Sequence, residues 1–220
     1  MNFAEVVNLR HSVRGFLPQP VPRETLEKAL RVAQQAPSNC NTQPWKVLVA
    51  SGATRDRLAK ALVEQAASGD KPSPDLPMDI SFAGIYRERQ VACAMELYSN
   101  LGIDRSDRPA RDKAMIRNWE FFGAPHAIFL AMDKSLGLNS IMDVGIYFQT
   151  LMLALTDAGI ACCPQLALAW YPGPIRAAFN LSDDYAILGG LSVGYEDPSA
   201  PANKTRLPRE PLENTVQFAD

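Results

Sequence analysis

A fold of mixed helices and strands, without regular βαβ winding, is predicted by three features of this 220-residue chain. Apolar residues recur at helical spacing in several segments and gather into short strand-like runs in others. The two kinds of segment follow one another irregularly, which excludes strict βαβ repetition. No G-x-G-x-x-G or G-x-x-x-x-G-K-S/T loop joins a strand to a helix. Gly189-Gly190 and Gly194 come closest, but they fall inside a predicted strand that no helix follows. The length fits one large domain spanning residues 1–220, and 47% hydrophobic residues allow a substantial core.

The elements follow in order. Asn2 to Arg10 reads as a short helix with Phe3, Val6, Val7 and Leu9 on its apolar side. Pro18, Pro20 and Pro22 make an extended link, and Pro22 opens a helix over Arg23 to Gln35, with Leu26, Leu30 and Ala33 at helical spacing. Trp45 to Ala50 reads as a strand, Thr54 to Ala67 as a helix, and Gly69 to Pro77, with three prolines, as a loop. Gly84 to Leu101 is predicted helical, Asp104 to Arg111 a charged segment, and Ala114 to Phe121 a further short helix. His126 to Met132 is a second buried strand. Asn139 to Ala158 is a helix apolar nearly all round, which requires burial from several sides, as a central helix of this chain or one completed by a second subunit, and Gly159 caps it. Cys162 to Ala169 is a short strand or extended turn, Pro174 to Asn180 a short helix, and Ala186 to Tyr195 a glycine-punctuated strand. The tail from Glu196 is proline-rich and extended.

A net charge of −2 without a basic stripe argues against nucleic acid as a partner. No segment reads as membrane-spanning, since the most apolar stretch, Ile141 to Ala161, carries Asp143, Gln149, Thr150, Thr156 and Asp157. The N-terminal residues lack a signal-peptide pattern. Cys40, Cys93, Cys162 and Cys163 lack zinc-site spacing and read as reduced, mostly buried thiols of a cytoplasmic protein. With two histidines and no H-E-x-x-H, no catalytic metal is expected, and His126 reads as a structural histidine. No G-x-S-x-G elbow points to a hydrolase.

What chemistry there is gathers in three places. Arg10-His11-Ser12-Val13-Arg14 and Lys204-Thr205-Arg206 each set cations and hydroxyls one or two residues apart, within reach of one compact anion such as a phosphate monoester. Between them, Ala36-Pro37-Ser38-Asn39-Cys40-Asn41-Thr42-Gln43-Pro44-Trp45 is a dense run of short polar groups. Taken singly, the first cluster also reads as a solvated turn and the middle run as an ordinary helix-terminating turn.

Together, in this order, the R-x-S-x-R opening, the P-S-x-x-N-x-Q-P-W loop and the K-x-R near the C-terminus resemble the nitroreductase family, over nearly the whole chain from Arg10 to Arg206. The resemblance implies an α+β fold with a central, mostly antiparallel sheet flanked by helices, in an interlocked homodimer. Flavin mononucleotide (FMN) would lie at the subunit interface, with the tail of about residues 196–220 wrapping the partner. It implies reduction of nitroaromatic or related electron-poor acceptors at the expense of NADPH or NADH, in a ping-pong cycle, and looks closest to members reducing nitrobenzoate or dinitroaniline-type compounds. The alternatives are acceptors such as quinones, activated alkenes or free flavin, or an FMN-binding carrier without turnover. Acceptor choice would lie in loops such as Gly69 to Phe82 and Asp104 to Phe122.

The resemblance also distributes roles. Arg10, Ser12, Lys204 and Arg206 would hold the phosphate, with His11 contributing through its backbone while its imidazole serves either the cofactor or the fold. Arg14 would place a positive charge beside the flavin, and Pro37, Ser38, Asn39 and Asn41 would pack against the ring from the other subunit. Pro164 and Gln165 fall where a backbone N–H faces the flavin. Proline has no N–H, so the donor is Gln165 or Leu166. No side chain is required as a catalytic acid; Arg14 and Gln165 would tune the cofactor. Cys40 stands where a small hydroxyl residue is usual, either lining the substrate pocket or buried and inert. Trp119 and Phe122, with Phe121, form a lid over substrate or part of the core. Arg87 and Arg89 serve the flavin edge or a solvated helix face.

Overall fold

The structure, a computed structural model, describes residues 1–77 and 81–219. Four antiparallel strands form its sheet, in the order β1 (Trp45–Ser51), β2 (His126–Asp133), β4 (Tyr185–Gly194), β3 (Ala161–Gln165). Helices cover both faces. This is the α+β arrangement with an antiparallel sheet that the resemblance implied.

Strand β2 explains the layering. Its residues are buried without a break from His126 to Met132, because both of its faces meet helices. Period-two alternation sends Ala127, Phe129 and Ala131 to one side and Ile128, Leu130 and Met132 to the other. The first set packs with Leu58 and Leu62 of α3 (Gly52–Ala67) and Ile175 of α7 (Pro172–Phe179). The second packs with Leu26, Ala29 and Ala33 of α2 (Arg23–Ala33) and with Tyr147, Leu151 and Leu155 of α6 (Ser140–Asp157). At the sheet centre, a Cβ on Gly190 would lie 2.4 Å from the Ile128 carbonyl oxygen, so only glycine fits between β2 and β4 there.

Local signals account for most boundaries. Helix α1 (Phe3–Leu9) opens with a capping box, Asn2 and Glu5 each accepting from the other's backbone N–H. Of Phe3, Val6, Val7 and Leu9, only Val6 is buried. Helix α6 ends in a Schellman motif: Gly159 has φ +72°, its N–H donates to Thr156, and the Ile160 N–H donates to Leu155. The indole of Trp45 donates to Gln34 at 3.0 Å and stacks on Tyr147, which anchors the start of β1. His126 is structural: its Nε2 accepts from the Val21 N–H at 2.9 Å, and its Nδ1 lies 2.6 Å from the Ser51 hydroxyl.

Three expectations are corrected. The segment read as charged linker plus a helix over Ala114 to Phe121 is instead α5 (Arg108–Ile116), preceded by α4 (Gly84–Asn100). The Asp107 carboxylate caps Ala110, and Pro109 sits in the first turn, so the helix starts earlier; left-handed backbone at Phe121 and Phe122 follows its end. Helix α6 is not enclosed within the chain, since Met142 is 73% exposed and Ile141 and Ile146 also face outward. The thiols divide evenly rather than being mostly buried: Cys162 and Cys163 are buried, Cys93 is half-buried and Cys40 is exposed.

Candidate functional site: an arginine cradle joined to an apolar cavity

The two basic clusters meet although roughly 190 residues separate them, and one side chain joins them. Asn203, 5% exposed, accepts from the Arg14 N–H at 2.7 Å and donates to the carbonyls of Gly15 at 2.8 Å and Asp197 at 2.9 Å. The tail is thereby fastened to the segment after α1. That segment is itself tied to β3, with the Val13 N–H donating to the Cys162 carbonyl at 3.1 Å and Ser12 bridging Cys162. Asn203 was not singled out in the sequence, because a lone asparagine in a proline-rich tail carries no signal of its own.

The result is a cradle of about 500 Å³ lined by four guanidinium groups, those of Arg10, Arg14, Arg206 and Arg209, and by no carboxylate. Ser12, Thr205 and Gln149 add neutral polar groups. Arg206 is oriented by donating to the carbonyls of Asn203 at 2.6 Å and Thr205 at 2.9 Å. Unbalanced positive charge lined with hydroxyls suits a doubly charged phosphate monoester, so the residues present fit the phosphate end of FMN. His11 also lines the cradle, but its imidazole is engaged on both nitrogens, with the Leu9 carbonyl at 2.9 Å and Glu196 at 3.1 Å. Its ring serves the fold. Lys204 is exposed and does not line the cradle.

Arg14 lines a second space as well, a cavity of about 300 Å³ with mostly apolar walls that include Leu97 of α4, Leu101 just past its end, Met115 of α5, Phe122 and Trp170. Arg14 is thus common to the walls of a phosphate-sized cradle and of an apolar cavity large enough for a substituted benzene ring. Phe122 reaches this wall through a tight turn: Phe121 and Phe122 both have positive φ, +55° and +52°. Such backbone costs on the order of 1–3 kcal/mol per residue and persists where surroundings enforce it. Here Arg55 donates to the Glu120 carbonyl at 2.8 Å and lies over the Phe121 ring, while Arg117 donates to the Phe122 carbonyl at 3.2 Å.

Trp119 is core rather than lid: it is 3% exposed, packs against Trp170 and Tyr171, and donates to the Ala167 carbonyl at 3.2 Å. Gln165 is buried, its amide donating to the Asn118 carbonyl at 2.8 Å and its carbonyl accepting from Ser192, so its side chain is committed to the interior. Pro164 pairs with Leu191 within the sheet. Arg89 pairs with Glu210 and Arg87 donates to Gln90, both on the outer face of α4.

The loop of Pro37, Ser38, Asn39, Cys40 and Asn41 lines neither space. It lies against α6, where the Asn39 N–H donates to Asp143 at 3.2 Å, and it is braced by the Ser38 hydroxyl accepting from Gln43 at 2.9 Å. Cys40, Asn41 and Gln43 all have positive φ. Cys40 is therefore neither buried nor in the pocket of its own chain. The buried thiols beneath the cradle are inert: burial pushes Cys162 up to about 12 and Cys163 up to about 11, despite the nearby arginines. Part of the loop assigned to acceptor choice, Met78 to Ile80, and the last residue of the tail lie outside the described residues.

Comparison with known proteins agrees with this geometry. The chain is 41% identical over 211 residues to nitroreductase NfnB of Mycolicibacterium smegmatis, covering 96% of this chain and 89% of that one. It is 36% identical over 221 residues to a 4-nitrobenzoate reductase of Pseudomonas putida, covering 99% and 95%. The crystal structure of the FMN-dependent nitroreductase NfnB from Mycobacterium smegmatis, in complex with NADPH, superposes with a TM-score of 0.93 at 39% identity over 100% of both chains. The nitroreductase family model matches residues 7–195, and the chain belongs to that family.

Proposed function

We propose that this chain is an FMN-dependent oxidoreductase that uses NADPH or NADH to reduce nitroaromatic compounds. The observation that carries the reading is the cradle of four guanidiniums without a carboxylate, sharing Arg14 with an apolar cavity. Arg10, Ser12 and Arg206 hold the phosphate, and Arg14 supplies a fixed positive charge where the two spaces join. When bound, FMN supplies the two-electron chemistry that links a nicotinamide donor to a nitro acceptor. The chain contributes position and charge: Phe122, Leu97 and Leu101 give the cavity an apolar wall for an aromatic ring, and no side-chain acid is required because solvent water delivers the protons.

A homodimer completes the site in this reading. The loop of Pro37, Ser38, Asn39 and Asn41 lines neither space of its own chain, is exposed for the most part and turns through left-handed backbone at Cys40, Asn41 and Gln43, which suits a segment presented to a partner's site. The outward apolar residues Phe3 and Leu9 of α1 and Met142 and Ile146 of α6 offer the surface for that partner. Leu212, Val216 and Phe218 are exposed on the tail, in keeping with a tail that wraps a second copy. No helix among the described residues is long and apolar enough to cross a membrane, and the four free thiols support a cytoplasmic protein.

The test is the visible spectrum of purified protein under anaerobic conditions. Absorbance near ~450 nm should bleach with NADPH or NADH and return with a nitroaromatic compound. A colourless protein that refuses added FMN would overturn the reading. Met142→Asp should shift the protein to a monomer on gel filtration and lower FMN occupancy; a flavin-loaded monomer would remove the dimer from it.

A further inference from the structure

Outside the cradle and the cavity, one more groove concentrates positive charge. It occupies about 440 Å³ between α4 and the segment leading into α5. Three arginines line it, Arg87 from α4, Arg105 from the connecting segment and Arg111 from α5. Elsewhere on the surface, Arg23, Arg89 and Arg108 are balanced by Glu27, Glu210 and Asp112. Among the described residues, none of the three groove arginines pairs with a carboxylate, and the buried Nε of Arg111 has no hydrogen-bond partner. The lining holds one carboxylate, Asp104, which accepts from the N–H and hydroxyl of Ser106, so the three arginines outnumber it. The groove floor is apolar and includes Met95, 57% exposed, and Tyr98.

Position gives this charge its meaning. Tyr98 lines the groove on one side and the apolar cavity beside Arg14 on the other. The groove and the cavity therefore share a wall at Tyr98, and a ligand that reaches out of the cavity over this residue meets the groove arginines. It needs an apolar ring to lie on Met95 and Tyr98 and a compact dianion to meet the guanidiniums. We propose that the groove takes the adenosine 2′-phosphate end of NADPH, and that Arg87, Arg105 and Arg111 select NADPH over NADH. The assignment rests on the nicotinamide-dependent reaction proposed above. NADH presents a ribose hydroxyl where NADPH presents a phosphate, so it leaves the arginines without an anion.

The test is steady-state kinetics with each donor at a fixed nitroaromatic concentration, on the wild-type FMN-loaded protein, the double variant Arg87→Gln/Arg105→Gln and, separately, Arg111→Gln. Arg87 and Arg105 are exposed, so the double variant should fold even if Arg111→Gln does not. Wild type should have the lower KM for NADPH. The variants should raise that KM by about tenfold or more, while kcat and the KM for NADH stay within about twofold. Adenosine 2′-phosphate should compete with NADPH in the wild type and lose that effect in the variants, with adenosine 5′-phosphate and inorganic phosphate much weaker. Equal shifts for both donors, an unchanged NADPH KM, or competition by inorganic phosphate as strong as by adenosine 2′-phosphate would overturn the assignment while leaving the flavoenzyme reading intact. A wild-type protein that oxidises neither donor would remove both.

Discussion

The backbone N–H of Arg14 donates to the side-chain carbonyl of Asn203 at 2.7 Å, and this bond joins the two halves of the cradle. Asn203 makes two further bonds from the other end of the same amide. Replacing it with Ala leaves the Arg14 N–H without its partner, while the carbonyls of Gly15 and Asp197 keep their bonds from the Asp197 and Ala200 N–H groups, and should cost about 1–3 kcal/mol of stability. Urea denaturation of the flavin-free protein measures this. FMN affinity should fall in parallel, since Arg206 loses its reference to Arg14.

The K-x-R pair divides into unequal members. Arg206 lines the cradle and Lys204 does not. Arg206→Ala should weaken FMN binding by about a hundredfold and Lys204→Ala by less than about threefold. Flavin fluorescence titration of the two variants gives both numbers. Equal losses would mean that Lys204 reaches the phosphate in the assembled protein.

Acid should act through His126. Burial holds its pKa below the ordinary 6.5, and its Nε2 must stay unprotonated to accept from Val21. Above about pH 6.5 neither the folded nor the unfolded state binds this proton, so its contribution is constant there. As pH falls from about 6.5 through the lower folded value, the unfolded state binds more protons and stability drops, by at most about 1.4 kcal/mol per unit. Subtracting the pH profile of His126→Gln from that of wild type should isolate this slope. A flat difference would show that the ring titrates normally.

The thiols should divide in the same way in solution as in the fold. With Cys163 raised to about 11 and Cys162 to about 12, at most about one part in a thousand is thiolate at pH 8. Iodoacetamide should leave both unmodified in the native protein and label them on unfolding, while Cys40 in the flavin-free chain reacts first. Peptide mass mapping after timed quenching reads this out.

Elements governed by local rules were legible in the sequence. The Pro22 start of α2, the Gly159 cap of α6 and the unbroken apolar run of β2 each follow from a few neighbouring residues. Helix α5 was misplaced because its cap, Asp107, lay inside a segment whose many charges suggested solvent rather than structure. The site was legible as composition but not as assembly. Arg10, Ser12, Arg14 and Arg206 meet as expected, yet Asn203, which makes them meet, looks like any tail residue until its three partners are known. Trp119 was undecided between lid and core for the same reason: Trp170 and Tyr171, which enclose it, are far along the chain. The exposure of Cys40 follows from positive φ at Cys40, Asn41 and Gln43, a run that residue type alone does not announce.

The fastening of Asn203 to Arg14 and Gly15 sets an order of events during synthesis. Residues 10–15 leave the ribosome early, but the partners that turn them into an anion site are made only when translation has passed Arg206. The ribosome's exit tunnel shields the newest part of the chain, so β4, which ends at Gly194, and the tail that holds Asn203 emerge close together. Cofactor capture is thus a late step in the birth of this protein, and a released chain cut just short of Asn203 would carry all four strands and a cradle open on one side.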